Sequence, residues 1–409
     1  MKQVGIRSLF QTRKSKKLRV LIFISLCIVL CLLLFVGQSY NVSSAEGDQA
    51  TVESELNNNI LEQLDNLDLS ALQEYVDSLG TFSNESVAER LFAFIKSDAW
   101  DYEGFWRQLV TVLFSKVTEI LPAFACIAAI TLLSGLISTL RSSSNAYTAS
   151  EMIFLITYAA ALIPLLAVLI ECFEASWSCI ESLQTQMQIV FPLMLTLMAA
   201  SGGGLSAAVC RPAVGFFATN IVSLINGVVL PITVTVIVFS MTGNLTKELK
   251  ISKFTAFFKS INKWIIGISV SAFGIFFTLQ GITASNYDGI VRRAAKYAIG
   301  NGIPIVGGFL SGGFDLAVAG SVLIKNSLGN MSVFLMITVL FEPILLLVSV
   351  NLLLRLTAAI TQPFGDSRIS DFLGETADNL HYCTAGLLIT AFLYFLSIML
   401  FVYASEALF

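Results

Sequence analysis

Charge is scarce in this chain, and so is nearly every residue type on which soluble chemistry relies. Only 13% of the 409 residues are Asp, Glu, Lys or Arg, against 56% that are hydrophobic; a soluble globular domain carries about 25% charged residues. Between Leu183 and Thr246 the single charged residue is Arg211, so nothing solvates that stretch in water. There is one histidine, His381, which excludes a histidine-based metal cluster and an HExxH pair. Beside Tyr382 at the start of an apolar run, it reads as an interfacial residue with no special role. No GxxxxGKS or GxxxxGKT phosphate loop and no GxSxG turn occurs, so nucleotide hydrolysis on a phosphate loop is not expected. The seven cysteines lie mostly in apolar segments with no CxxC or paired spacing, which argues against a disulfide framework or metal site. No catalytic residue, cofactor or nucleic-acid partner is expected.

What is present is length of apolar sequence. Runs well beyond about 20 residues are read as membrane spans, because only a helix closes its own backbone hydrogen bonds in lipid. The charges that exist are segregated. Residues 1–19 hold seven Lys or Arg and no acid, and residues 46–106 hold fourteen Asp or Glu against Arg90 and Lys96. The first 45 residues read as an export signal, cleaved or kept as an anchor, with a basic start, an apolar run at 20–36 and small residues at 43–45. The basic flank predicts a cytoplasmic N-terminus and translocation from residue 46 onward.

Residues 46–106 read as an acidic extracytoplasmic helical region. Leu61, Leu64, Leu67, Leu69, Leu72, Tyr75, Val76 and Leu79 approximate helical spacing, and a second helix is expected over 87–100. Such short amphipathic helices must pack on each other, on the membrane face or on a partner. Trp100, Tyr102 and Trp106 fit an aromatic belt before the first span. From residue 107 to 409 the chain reads as a multi-span transmembrane domain. Spans are expected at 119–140, 152–170, 189–209, 213–241, 264–283, 297–324, 331–354 and 383–403. The whole is an all-α polytopic membrane protein.

Loop charges predict Glu171, Glu174 and Glu181 outside, and Lys247, Lys250, Lys253, Lys259 and Lys263 in the cytoplasm. That requires an odd number of crossings between them, whereas two segments lie there, so one must be broken or re-entrant. Gly202, Gly203 and Gly204 supply one place for a break, and Gly312 and Gly313 another, because each glycine costs about 1 kcal/mol of helix stability. Close packing of helices through small residues is the alternative at both. Asp315, directly after the second glycine run, is placed to cap a half-helix. Arg211, beside Pro212, marks either a short loop or a buried charge, and Glu342, deep in an apolar run before Pro343, is expected inside the bundle.

Four segments carry a family resemblance: FPLMLTLMAASGGGLSAAV at 191–209, YDGIVRRAAKYAIGNGIPIVG at 287–307, LIKNSLG at 323–329 and LTAAITQPFG at 356–365. In this order, behind an export signal and an acidic external segment, the chain resembles the stage III sporulation protein AE family. The resemblance implies a mother-cell membrane protein of a channel or secretion apparatus linking mother cell and forespore. It also implies work with the other proteins of the same operon, including an ATPase, small membrane subunits and ring-forming proteins, and with the forespore stage II sporulation protein Q. It assigns no catalytic residues. An autonomous solute permease and, further off, an intramembrane enzyme built on Asp315 and Glu342 remain the alternative readings of the residues themselves.

Overall fold

A chain this apolar has to satisfy its backbone internally, and helix is the local solution. The computed structural model describes residues 49–79, 86–95, 102–141, 147–245, 251–302, 307–363 and 367–406, and their regular elements are all helical. Three short helices come first: α1 (Gln49–Asp65), α2 (Ser70–Ser78) and α3 (Val87–Ile95). Long ones follow: α4 (Tyr102–Arg141), α5 (Tyr147–Ala200), α6 (Gly204–Leu224), a π-helical turn (Ile225–Val229), α7 (Leu230–Leu245), α8 (Ser252–Gly302), α9 (Gly307–Thr361) and α10 (Ser367–Glu406). The export signal and Lys247, Lys250 and Trp100 lie outside the described residues. Leu56–Phe409 forms one compact unit.

Helix length is the first surprise. α5 has 54 residues and α9 has 55, about 80 Å each at 1.5 Å per residue, whereas a bilayer's hydrocarbon core is about 30 Å thick. α5 runs unbroken through Pro164 and Pro192. The three glutamates expected in an outside loop, Glu171, Glu174 and Glu181, therefore stand on a continuous helix. Five stretches among the described residues are long and apolar enough to cross a membrane: Phe114–Ile137, Glu151–Ala200, Asn220–Leu245, Leu316–Thr361 and Ser367–Tyr403. The expected spans at 152–170 and 189–209 thus share one helix, the second running past its end at Ala200 into α6, and 331–354 shares α9 with most of 297–324.

Cross-helix hydrogen bonds fix the register of this bundle. At one end Arg368 of α10 meets Glu151 of α5 at 3.2 Å, and the Tyr158 hydroxyl donates to the Met241 carbonyl of α7 at 2.7 Å. Midway, the Cys179 thiol donates to the Val339 carbonyl of α9 at 3.6 Å and Gln184 donates to Ser223 of α6 at 3.2 Å. Higher still, Gln186 donates to the Ser332 carbonyl and Lys325 to the Val402 carbonyl, at 2.9 and 2.8 Å. From α5 onward, helices adjacent in sequence run antiparallel, with α6, the π turn and α7 forming one strut.

The short helices pack on the far half of this bundle. Ile60, Leu64, Leu72, Tyr75, Val76, Val87 and Leu91 are buried. Ser327 donates to the Leu91 carbonyl at 2.6 Å, and Gln63 donates to the Ala317 carbonyl at 2.9 Å. The Tyr75 phenol donates to the Ser182 carbonyl at 3.2 Å, and burial raises its pKa above the ordinary range, keeping it a donor. α3 starts with a capping box. Ser86 Oγ accepts from the Glu89 backbone N–H at 3.2 Å, and a Glu89 carboxylate oxygen accepts from the Ser86 N–H at 3.0 Å.

Candidate functional site

The residues picked from sequence do not form one site. Gly202 and Gly203 make the corner between α5 and α6, and the helix break falls there as the glycine run suggests. The corner is a Schellman motif: the Gly203 N–H donates to the Met198 carbonyl at 2.9 Å and the Gly202 N–H to the Ala199 carbonyl at 3.1 Å. Gly202 has φ 93°, a left-handed backbone open to glycine and strained for other residues. Gly204 is the first residue of α6.

Gly312, Gly313 and Asp315 require a correction. All three lie inside α9, which begins at Gly307 and does not break at them. Asp315 is past the first two turns of that helix, beyond the N–H groups that a capping carboxylate serves. Arg211 is likewise no loop marker. It sits in α6 with its side chain exposed, at a groove of about 630 Å³ shared with Gln184, Gln188 and Thr196 of α5.

Glu342 is the second correction. Its side chain is 63% exposed and accepts an ion pair from Lys116 of α4 at 2.9 Å, with Glu119 at 3.4 Å from the same ammonium. Proline after it does not end α9 either. Arg211 stands near the level of Thr196 and Glu342 near that of Cys179, about 25 Å apart along α5, so the two belong to different surfaces.

Polar groups that sequence reading passed over do converge. A cleft of about 380 Å³ opens between α7, α8 and α10, lined by Ser240, Asn244, Thr255, Lys259 and Glu375. Ser240 and Asn244 both donate to the Glu375 carboxylate. Asp371, Glu375 and Asp378 are exposed on α10, four and then three residues apart, which places them on one helix face. Arg355 of α9 closes on that stripe, 2.8 Å from Asp378 and 3.1 Å from His381 Nε2. His381 thus belongs to a charged cluster.

Beside the cleft the interior is polar without being paired. Asn379 is fully buried, and neither end of its amide has a protein partner; the Thr376 and Ser349 hydroxyls have none either. Buried amides are kept in native cores when water or ligand atoms complete their bonding. The arrangement can hold water and small polar or charged species at the foot of the bundle. Among the described residues no group of three or more His, Cys, Asp or Glu is placed to bind a metal. The spacing of 371, 375 and 378 was readable as a stripe; Arg355 and Lys259 come from other helices, and no local pattern announces them.

Comparison with known proteins adds the family. The sequence model described as Stage III sporulation protein AE matches residues 87–405, from the start of α3 almost to the end of α10. The curated Stage III sporulation protein AE of Bacillus subtilis (strain 168) is 24% identical over 391 residues, covering 93% of this chain and 97% of the relative. No solved structure matches. With the family match extending over most of its length, this chain belongs to the stage III sporulation protein AE family.

Proposed function

We propose that this chain is a non-enzymatic membrane subunit of a transport or secretion channel between mother cell and forespore, required for late forespore development. Membership of a sporulation family and long apolar helices support the broad reading. The observation that carries the subunit reading is the charged face of α10. Asp371, Glu375 and Asp378 are exposed at the height where α9 exposes Leu352 and Leu356. Each ion placed against acyl chains costs at least about 2.5–3.5 kcal/mol, so that sector faces water or protein, while its neighbours face lipid. A lone chain in a bilayer has no such cover; a subunit does.

The proposed partners are the other proteins of the same operon, an ATPase, small membrane subunits and ring-forming proteins, together with forespore stage II sporulation protein Q. The seat is the mother-cell membrane facing the forespore. A photo-crosslinking residue at Asp371, in sporulating cells, tests the reading. Capture of one of these proteins or of a second copy supports it. Crosslinks to lipid alone, or solute uptake by the purified chain in liposomes, overturn it in favour of an autonomous permease.

A further inference from the structure

Among the described residues, the large apolar side chains exposed by this protein are confined to a few intervals. All but Leu61 and Tyr403 fall in five. These run from Phe114 to Ile137 on α4, Met152 to Trp177 on α5, and Leu224 to Val238 across α6 and α7. The other two run from Phe254 to Ile275 on α8 and Val348 to Ile360 on α9. None is longer than about 40 Å, and on α5 the interval ends at Trp177, near the level where Cys179 meets Val339 and Lys116 meets Glu342.

Above that height the outward faces change character. On α5 the exposed positions become Glu181, Thr185, Gln188, Pro192, Thr196, Ala199 and Ala200, and those among the described residues of α6 are Gly204, Ala208, Arg211, Pro212, Gly215, Asn220 and Ser223. Charges gather at the boundary itself: Glu174 and Glu181 of α5, Glu119 and Lys116 of α4, and Glu342 of α9. Trp177 sits there too, 46% exposed, as tryptophan does at headgroups. The flank above is covered by α2 and α3, whose outer faces carry Glu74, Asp77 and Glu89 exposed.

We infer that a single lipid bilayer covers these intervals as one band and nothing above it. The upper tier, including residues 182–223 with Arg211 and the Gly202 corner, stands in water on the extracytoplasmic side. Among its described residues, Met187, Val190, Met194 and Met198 form a core of its own and are each at most 1% exposed. Ile189 to Val209 then never enters lipid, although its hydropathy suits a span. The sequence conflict in crossing number dissolves as well. From Glu181 the chain turns at residues 201–203 and crosses once, through the π turn and α7, to the lysines at the other end.

The test uses nitroxides on single cysteines introduced into the full chain, reconstituted in phosphatidylethanolamine and phosphatidylglycerol liposomes. Ile156→Cys, Ile163→Cys and Leu352→Cys are expected to favour dissolved oxygen over a water-soluble nickel complex. Thr185→Cys, Gln188→Cys, Thr196→Cys and Ala208→Cys are expected to reverse that ratio several-fold. In intact cells the second group labels with an impermeant maleimide, and Ser252→Cys labels only after lysis. Oxygen preference at Gln188, Thr196 and Ala208 overturns the inference by putting the tier in lipid. Protection of Ile156 and Ile163 from both reagents overturns it by putting protein on the band.

Discussion

Single positions in this bundle differ sharply in what they tolerate. A Cβ on Gly329 would stand 2.8 Å from Val402 Cγ2 and 3.2 Å from Met194 Cε. Valine is stiff at χ1 and gives little. The gain of about 1 kcal/mol in helix propensity is outweighed by overpacking of about 1–3 kcal/mol, so Gly329→Ala lowers the melting temperature in detergent. Gly204, with nothing within 4 Å of an added Cβ, is expected to accept alanine without loss. Asn379 presents the opposite case, because an unmet amide in the core is worth less than a hydrocarbon of similar size. Asn379→Leu is expected to raise stability by about 1–3 kcal/mol, read as a higher melting temperature. A lower melting temperature would show that the amide is bonded after all. Sequence gave fair notice of isolated charges such as Arg211 and Glu342, but side-chain direction decides their role. Helix rotation turned Glu342 outward toward Lys116, and hydropathy carries no information about rotation.

At the scale of helices, the sequence was right about type and wrong about number. Apolar content predicts helix everywhere, and the glycine run at 202–204 marks a true corner, because the Schellman turn needs a left-handed residue. Gly202→Ala is expected to cost about 1–2 kcal/mol through that backbone alone, read as a fall in thermal stability, while Gly204→Ala serves as the control. The glycines at 312 and 313 misled, since a helix packed in a bundle survives losses of about 1 kcal/mol per glycine when tertiary contacts offset them. Proline misled too: Pro192 and Pro343 lie inside helices that continue, as neighbouring helices allow in apolar surroundings. The π turn at residues 225–229 left no legible trace. Asn262 uses it, donating to the Val229 carbonyl at 3.3 Å and to Thr233 Oγ1 at 3.0 Å.

For the whole molecule, alternation of direction fixes sidedness. α4 to α10 make three antiparallel pairs once α6 and α7 count as one strut, so the end of α10 returns to the side of α2 and α3. Alkaline phosphatase fused after Glu406 is therefore expected to be active, and a fluorescent protein fused there dark; the reverse would show an odd number of crossings. The acidic cover of α2 and α3, the tier it covers and the lipid band could not be separated from hydropathy, because a buried water-soluble core and a lipid-facing helix have the same composition. Only exposure distinguishes them.

α5 is also a rod. It is continuous for 54 residues from the foot, where Glu151 is held by Arg368, to the corner at Gly202. Stiffness over that length makes it a lever: a tilt of about 5° at the foot displaces the corner by about 7 Å. Any partner that pulls on the start of α10 through Arg368 would thereby be felt at the Gly202 corner, without a change of fold in between.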